Sequence, residues 1–111
     1  DIQRPNIVNT PLPAGTTGEQ FRQAVERDWL PALQQHQPQM IFVSAGFDAH
    51  RDDPLGQLRL EEADYCWVTE LIVDAAERTA QGRVVSTLEG GYDLAALSRS
   101  VNAHLEVLLG R

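Results

Sequence analysis

The sequence predicts an α/β fold in which a parallel β-sheet carries helices on both faces. Two short apolar runs rich in β-forming residues, Met40 to Val43 and Val84 to Leu88, are typical of strands buried on both faces of such a sheet. Segments with helical periodicity precede, separate and follow these runs. Because alternating strands and helices favour right-handed crossovers between parallel neighbours, the sheet is predicted to be parallel.

The chain before the first of these strands is predicted to contain a strand end, a loop and a helix. Ile7 and Val8 form the apolar centre of the strand end. Thr17 and Gln20 have capping-box spacing at the start of the helix, and Thr16 with Glu19 is the alternative pair. Pro31 is expected to kink this helix or to begin a second one. Apolar residues recur every four positions on one face of the helix: Phe21, Val25, Trp29 and Leu33.

Two more helices are predicted after the first strand. The longer one covers Glu61 to Gln81, and Gly82 is suited to close its carboxyl end. Asp93 can cap the final helix after the second strand. The apolar stripe of that helix comprises Leu94, Leu97, Val101, Leu105 and Leu108.

Polar loops follow both strands, from Ser44 to Pro54 and from Glu89 to Tyr92. In parallel sheets ligands bind beyond the carboxyl ends of the strands, so both loops are predicted to lie at one edge, called the rim below. Asp48 in the first loop could coordinate a divalent metal, although an aspartate there is more often a turn residue. His50 lies two residues further on, but a catalytic zinc site normally takes three protein ligands.

The remaining polar residues have simpler interpretations. Gly90-Gly91-Tyr92 is either a glycine turn whose tyrosine packs on the sheet, or a turn that aims the Tyr92 hydroxyl into a cleft as a hydrogen-bond donor. The segment Arg51 to Asp53 is expected to be a solvated loop. His36 and His104 fall in predicted helices, so both are expected at the surface.

Composition limits the classes of partner. Sixteen acidic against nine basic residues give a formal net charge of -7, which disfavours nucleic acid and anionic membranes. The single cysteine, Cys66, excludes a cysteine-based zinc site. There is no apolar run of membrane-spanning length and no signal-peptide pattern, so a cytoplasmic protein is expected.

Taken together, the two rim motifs resemble those of class II-type histone deacetylases and their bacterial relatives, in the histone deacetylase and acetylpolyamine amidohydrolase superfamily. The motifs are IFVSAGFDAHRDDPLG at residues 41–56 and LEGGYDL at residues 88–94. The segments at residues 9–16 and 30–33 also match that family's pattern. The resemblance implies an arginase/deacetylase-like three-layer fold, of which residues 1–111 would be a C-terminal portion.

The resemblance also implies roles for individual residues. Asp48 would be a zinc ligand, and Tyr92 would be the catalytic tyrosine hydrogen-bonded to the substrate carbonyl. Gly90 and Gly91 would line the acyl-lysine channel, and Leu55 would stand at its mouth. With Zn²⁺ as cofactor, the implied reaction hydrolyses acetyl-lysine or a related N-acetyl amine to acetate and a free amine.

Part of the family's pattern is missing from this sequence. The family carries an adjacent histidine pair as general base and a second Asp-x-His ligand set in an N-terminal portion, whereas His50 here matches a position that is not a ligand. We therefore expect a fragment that lacks the N-terminal part of the catalytic domain, is inactive alone and self-associates through an exposed sheet edge. The alternative is a non-catalytic α/β interaction or assembly module whose motifs are remnants.

Overall fold

The computed structural model describes residues 6–110, and its elements follow the predicted alternation of helix and strand. They are α1 (Gly18–His36), β1 (Ile41–Ala45), α2 (Glu62–Thr79), β2 (Val84–Leu88) and α3 (Leu94–Leu108). The strands pair in parallel, with Ile41 opposite Val84 and Ala45 opposite Leu88. The predicted α/β class with a parallel sheet is confirmed. None of the helices in this part of the chain is long and apolar enough to cross a membrane.

The amino-terminal region differs from the prediction in one respect. Ile7 and Val8 do not belong to a strand, since neither pairs with a strand among the described residues. The capping box at Thr17 and Gln20 is present, since the Thr17 hydroxyl accepts from the Gln20 N–H and the Gln20 side chain accepts from the Thr17 N–H. Helix α1 continues through Pro31, so no second helix begins there.

The other two helices begin and end close to their predicted bounds. The Asp93 carboxylate accepts from the Ala96 N–H at 2.8 Å, which confirms the predicted cap of α3. Helix α2 ends at Thr79, two residues before the predicted end. Gly82 follows with a φ of 74°, and its N–H donates to the Ala76 carbonyl at 3.0 Å. The glycine thus closes the helix end from a position slightly beyond the cap.

The hydrophobic core lies between one face of the sheet and the three helices. Alternate residues of a strand point to opposite faces, and Val43 and Ala45 point toward this core. The buried cluster continues into the segments after β1, and each helix adds apolar side chains to it. Its other members and close neighbours are Phe21, Phe47, Ala49, Leu60, Tyr65, Leu97 and Val101.

The opposite face of the sheet, called the open face below, is not covered by any described element. Phe42 is 73% exposed and Val85 is 42% exposed, although both lie in strands predicted to be buried on both faces. That prediction is wrong for residues 6–110, because their helices pack against only the face that carries Val43 and Ala45. The two strands therefore contain more apolar residues than residues 6–110 bury.

Candidate active site at the sheet rim

The two loops predicted to share the rim are joined by backbone hydrogen bonds just beyond the strands. The Glu89 N–H donates to the Ala45 carbonyl at 2.9 Å. The Phe47 N–H donates to the Gly90 carbonyl at the same distance. These bonds extend the register of the parallel strands, so Asp48 and the Gly90-Gly91 turn are brought together as the motif positions imply.

The Asp48 carboxylate lies against the backbone of Gly90. A Cβ atom added to Gly90 would be 2.8 Å from Asp48 Cγ, and one added to Gly46 would be 3.1 Å from Oδ1. Because neither glycine has a side chain, both keep free the space that the Asp48 carboxylate occupies. Among residues 6–110 the side-chain hydrogen bonds of this loop involve His50, Asp52 and Asp53 and not Asp48. The Asp48 oxygens thus keep their capacity to bind a ligand.

The other residues assigned to the rim by the resemblance are exposed or close to the turn. Tyr92 is 53% exposed and Leu55 is 69% exposed, so neither packs in the core. Gly91 has a φ of 138°, and a Cβ added to it would be 2.6 Å from Leu97 Cδ1. Its missing side chain therefore allows the turn to pack closely on α3 as well as to adopt its conformation.

Asp53 was expected in a solvated loop, and the structure shows that this is wrong. The residue is 8% exposed. Its Oδ1 accepts from the Leu55 and Gly56 N–H groups at 2.8 and 2.9 Å, and its Oδ2 accepts from the Tyr92 N–H at 2.8 Å. Burial raises the pKa of Asp53, but the backbone N–H donors outweigh burial and the net shift is downward. The local signal is an aspartate that can bond the backbone two and three residues further on, which favours a turn.

His50 is buried and has both ring nitrogens engaged. Nδ1 accepts from the Asp52 N–H at 3.1 Å, so the proton on Nε2 is available to donate to the Glu62 carboxylate at 3.1 Å. Arg99, chiefly, lowers the pKa of Glu62 to about 2, and His50 acts in the same direction. The ring therefore ties the loop to α2, and neither of its nitrogens is free for a metal.

His104 was expected at the surface, but it is buried beneath the sheet. Its Nδ1 lies 2.8 Å from the Thr69 hydroxyl, and its Nε2 lies 2.8 Å from the Ser86 hydroxyl. Because Thr69 donates its own proton to the Tyr65 carbonyl, Nδ1–H must donate to Thr69, and Ser86 donates to Nε2. Burial lowers the pKa of His104. The sequence signal for this burial is that His104 falls on the apolar side of α3.

The rim could provide one ligand of a metal site. Within residues 6–110 no group of three or more His, Cys, Asp or Glu side chains is arranged to hold a metal ion. Asp48 nevertheless offers a carboxylate that has no side-chain partner among residues 6–110, in a space that a side chain at Gly90 would fill. An oxygen ligand of this kind is one that zinc accepts alongside histidine.

Comparison with known proteins agrees with the motifs at the rim. A family model described as the histone deacetylase domain matches residues 2–108. The chain belongs to the histone deacetylase family. It is 42% identical over 107 residues to type-2 histone deacetylase 2 of Dictyostelium discoideum. It is also 41% identical over 103 residues to the histone deacetylase-like amidohydrolase of Pseudomonas aeruginosa.

A solved structure shows the same fold. The crystal structure of the HDA15 HD domain superimposes with a TM-score of 0.85 at 35% identity, over 93% of this chain and 28% of that one. The sequence matches cover 94% and 93% of this chain, but only 6% of the Dictyostelium protein and 27% of the Pseudomonas protein. The chain thus spans between 6% and 28% of the length of these relatives.

Proposed function

We propose that this chain forms part of a zinc-dependent deacetylase that hydrolyses acetyl-lysine, or a related N-acetyl amine, to acetate and a free amine. The supporting observation is the arrangement at the rim. The Asp48 carboxylate has no side-chain partner among residues 6–110 and lies against Gly90, two residues before Tyr92. The similarity to deacetylases and an amidohydrolase supports the same class of reaction.

The residues of this chain would have distinct tasks. Asp48 would provide one ligand to a zinc ion, whose Lewis acidity polarises a carbonyl and lowers the pKa of a bound water. The Tyr92 hydroxyl would donate a hydrogen bond to the substrate carbonyl oxygen as negative charge develops on it. The general base and the other ligands would come from another part of the protein, because the sequence contains no adjacent histidine pair.

The substrate channel would be formed by the same two loops. Gly90 and Gly91 would line this channel beside Asp48, as the family motif implies. Leu55 is exposed and apolar at the proposed mouth, where a carboxylate would be needed to bind a free polyamine. We therefore favour acyl-lysine over acetylpolyamine as the substrate class.

The assigned roles are tested in the full-length protein that contains this chain, with an acetyl-lysine peptide as substrate. Tyr92→Phe should lower kcat by about 10²–10³-fold, the usual effect of removing one oxyanion donor, while the zinc content remains unchanged. Asp48→Asn should lower both activity and zinc content, measured by mass spectrometry of the purified protein. Full activity of Tyr92→Phe would contradict the proposed role of the hydroxyl.

The isolated chain of 111 residues offers a second test. We expect it to bind zinc weakly in a calorimetric titration and to show no turnover, because a single carboxylate does not complete a catalytic site. Stoichiometric binding at sub-micromolar concentration together with deacetylation would contradict this expectation. Light scattering on the same sample measures the self-association proposed for the exposed edge.

A further inference from the structure

Asp53 connects the two loops of the rim through one carboxylate. Oδ1 accepts two N–H groups from its own loop, those of Leu55 and Gly56. Oδ2 accepts the N–H of Tyr92, which lies 39 residues further along the chain. The segment that carries Leu55 and the turn that carries Tyr92 are thereby held by the same buried side chain.

The chemistry of these contacts favours an ionised carboxylate. All three partners are N–H donors, so both oxygens must act as acceptors. An asparagine has one acceptor oxygen, and its amide nitrogen would face a donor on the other side. A buried charge is costly unless it is fully hydrogen-bonded, and these three bonds to a charged acceptor meet that condition.

The backbone at Tyr92 has few other anchors. Gly90 is held by Phe47 at the end of the strands, and Asp93 caps α3. Gly91, between Gly90 and Tyr92, has a φ that only glycine adopts readily. The Tyr92 side chain is more than half exposed, so surrounding side chains hold it less firmly than a buried ring and its position depends more on its backbone.

We propose that Asp53 is a positioning residue for Tyr92: its carboxylate sets the placement of the tyrosine hydroxyl relative to the loop that carries Asp48 and Leu55. This inference rests on the proposed function, in which the Tyr92 hydroxyl stabilises the developing negative charge. Asp53 does not itself touch the substrate, since both of its oxygens are occupied by backbone donors.

The test is a double-mutant cycle in the full-length protein, with kcat and KM measured on an acetyl-lysine peptide. Asp53→Asn keeps one acceptor for the two N–H groups of its own loop and loses the contact to Tyr92. A misplacement of this kind should lower kcat by about 100-fold with little change in KM or zinc content. In a Tyr92→Phe background the same substitution should have little further effect, since the hydroxyl is already absent.

The neighbouring exposed carboxylate provides the matched control. Asp52→Asn should leave kcat within about twofold of the unsubstituted protein, as expected of a surface site. If Asp53→Asn lowers kcat equally in the presence and absence of the hydroxyl, Asp53 does not act through Tyr92 and the inference is wrong. Full activity of Tyr92→Phe would instead contradict the proposed function, so the two failures are distinguishable.

A measurement on the unsubstituted protein tests the inference even if the Asp53→Asn variant does not fold. Amide hydrogen exchange in the native protein should show the Tyr92 N–H protected by at least about 100-fold relative to an unbonded amide, despite the exposure of its side chain. Exchange at the rate of an unbonded amide would show that the bond to Asp53 is not maintained, and would overturn the inference.

Discussion

The rim and the interior of the helix-covered face both contain polar side chains, but the two regions use them differently. In the interior, the ring of His104 is hydrogen-bonded on both nitrogens to hydroxyls of α2 and β2. At the rim, the Asp48 carboxylate has no side-chain partner among residues 6–110, and Tyr92 is half-exposed. His104, whose two nitrogens are both bonded, holds α3 to α2 and β2, whereas the Asp48 carboxylate remains available to a ligand.

Asp48 and Asp53 show the same contrast within one loop. They are five positions apart, yet the oxygens of Asp53 accept three backbone N–H groups and those of Asp48 accept none from the described residues. A carboxylate saturated by the backbone is a poor ligand, because binding a metal would break bonds that it already makes. The contrast predicts that substitutions in the interior reduce stability and that substitutions near Asp48 reduce ligand binding.

The largest effect on stability is expected from His104→Ala. The substitution removes a buried ring that packs edge-on against Phe47, takes away the acceptor of the Ser86 hydroxyl and removes one of the two hydrogen bonds of the Thr69 hydroxyl. We expect a loss of about 3 kcal/mol in the free energy of unfolding, measured by denaturant titration. His36→Ala is the matched control, because that histidine is exposed on α1 and should change the same quantity little. Equal losses in both variants would contradict the assignment.

A smaller effect is expected from pH. Burial lowers the pKa of His104 in the folded protein below the ordinary value of 6.5, so the unfolded chain takes up a proton at higher pH than the folded one. The stability contributed by the neutral ring is fully present above pH 6.5 and is lost as the pH falls toward the lowered value.

His104→Gln provides the check on this pH dependence, since glutamine cannot titrate. In this variant the free energy of unfolding should no longer fall as the pH decreases just below 6.5. Glu62 affects stability in a separate, more acidic range, because its pKa is lowered from the ordinary value of 4.5 to about 2. The fall in the free energy of unfolding over that range should remain in His104→Gln. A slope below pH 6.5 that persists in His104→Gln would assign it to another group.

The smallest effect on stability is expected at the rim, from Gly90→Ala. The added Cβ would meet the end of the Asp48 side chain, which can rotate away, so the cost should be about 1 kcal/mol. The displaced carboxylate should nevertheless lower the zinc content of the full-length protein. Gly46→Ala, whose Cβ would lie 3.1 Å from Asp48 Oδ1, should lower it less. Zinc content unchanged in Gly90→Ala would contradict the placement of the ligand.

Much of the fold followed from local sequence. The apolar runs at β1 and β2, the capping box at Thr17 and the cap at Asp93 were predicted because each depends on residues close together in the chain. The shared rim also followed, since parallel strands place their carboxyl ends at the same edge. The apolar runs did not reveal the open face, because burial depends on which face another element covers, as the exposure of Phe42 shows.

The order of the elements, the parallel sheet and the family resemblance can be predicted from the sequence, because spacing and local propensity carry that information. Which polar residues have hydrogen-bond partners depends on how the chain folds. Asp53 bonds Tyr92 across 39 positions and His104 bonds Thr69 across 35, so no local pattern contains both partners. The distinction between a carboxylate that binds backbone and one that remains available to a ligand arises when the two loops meet at the rim.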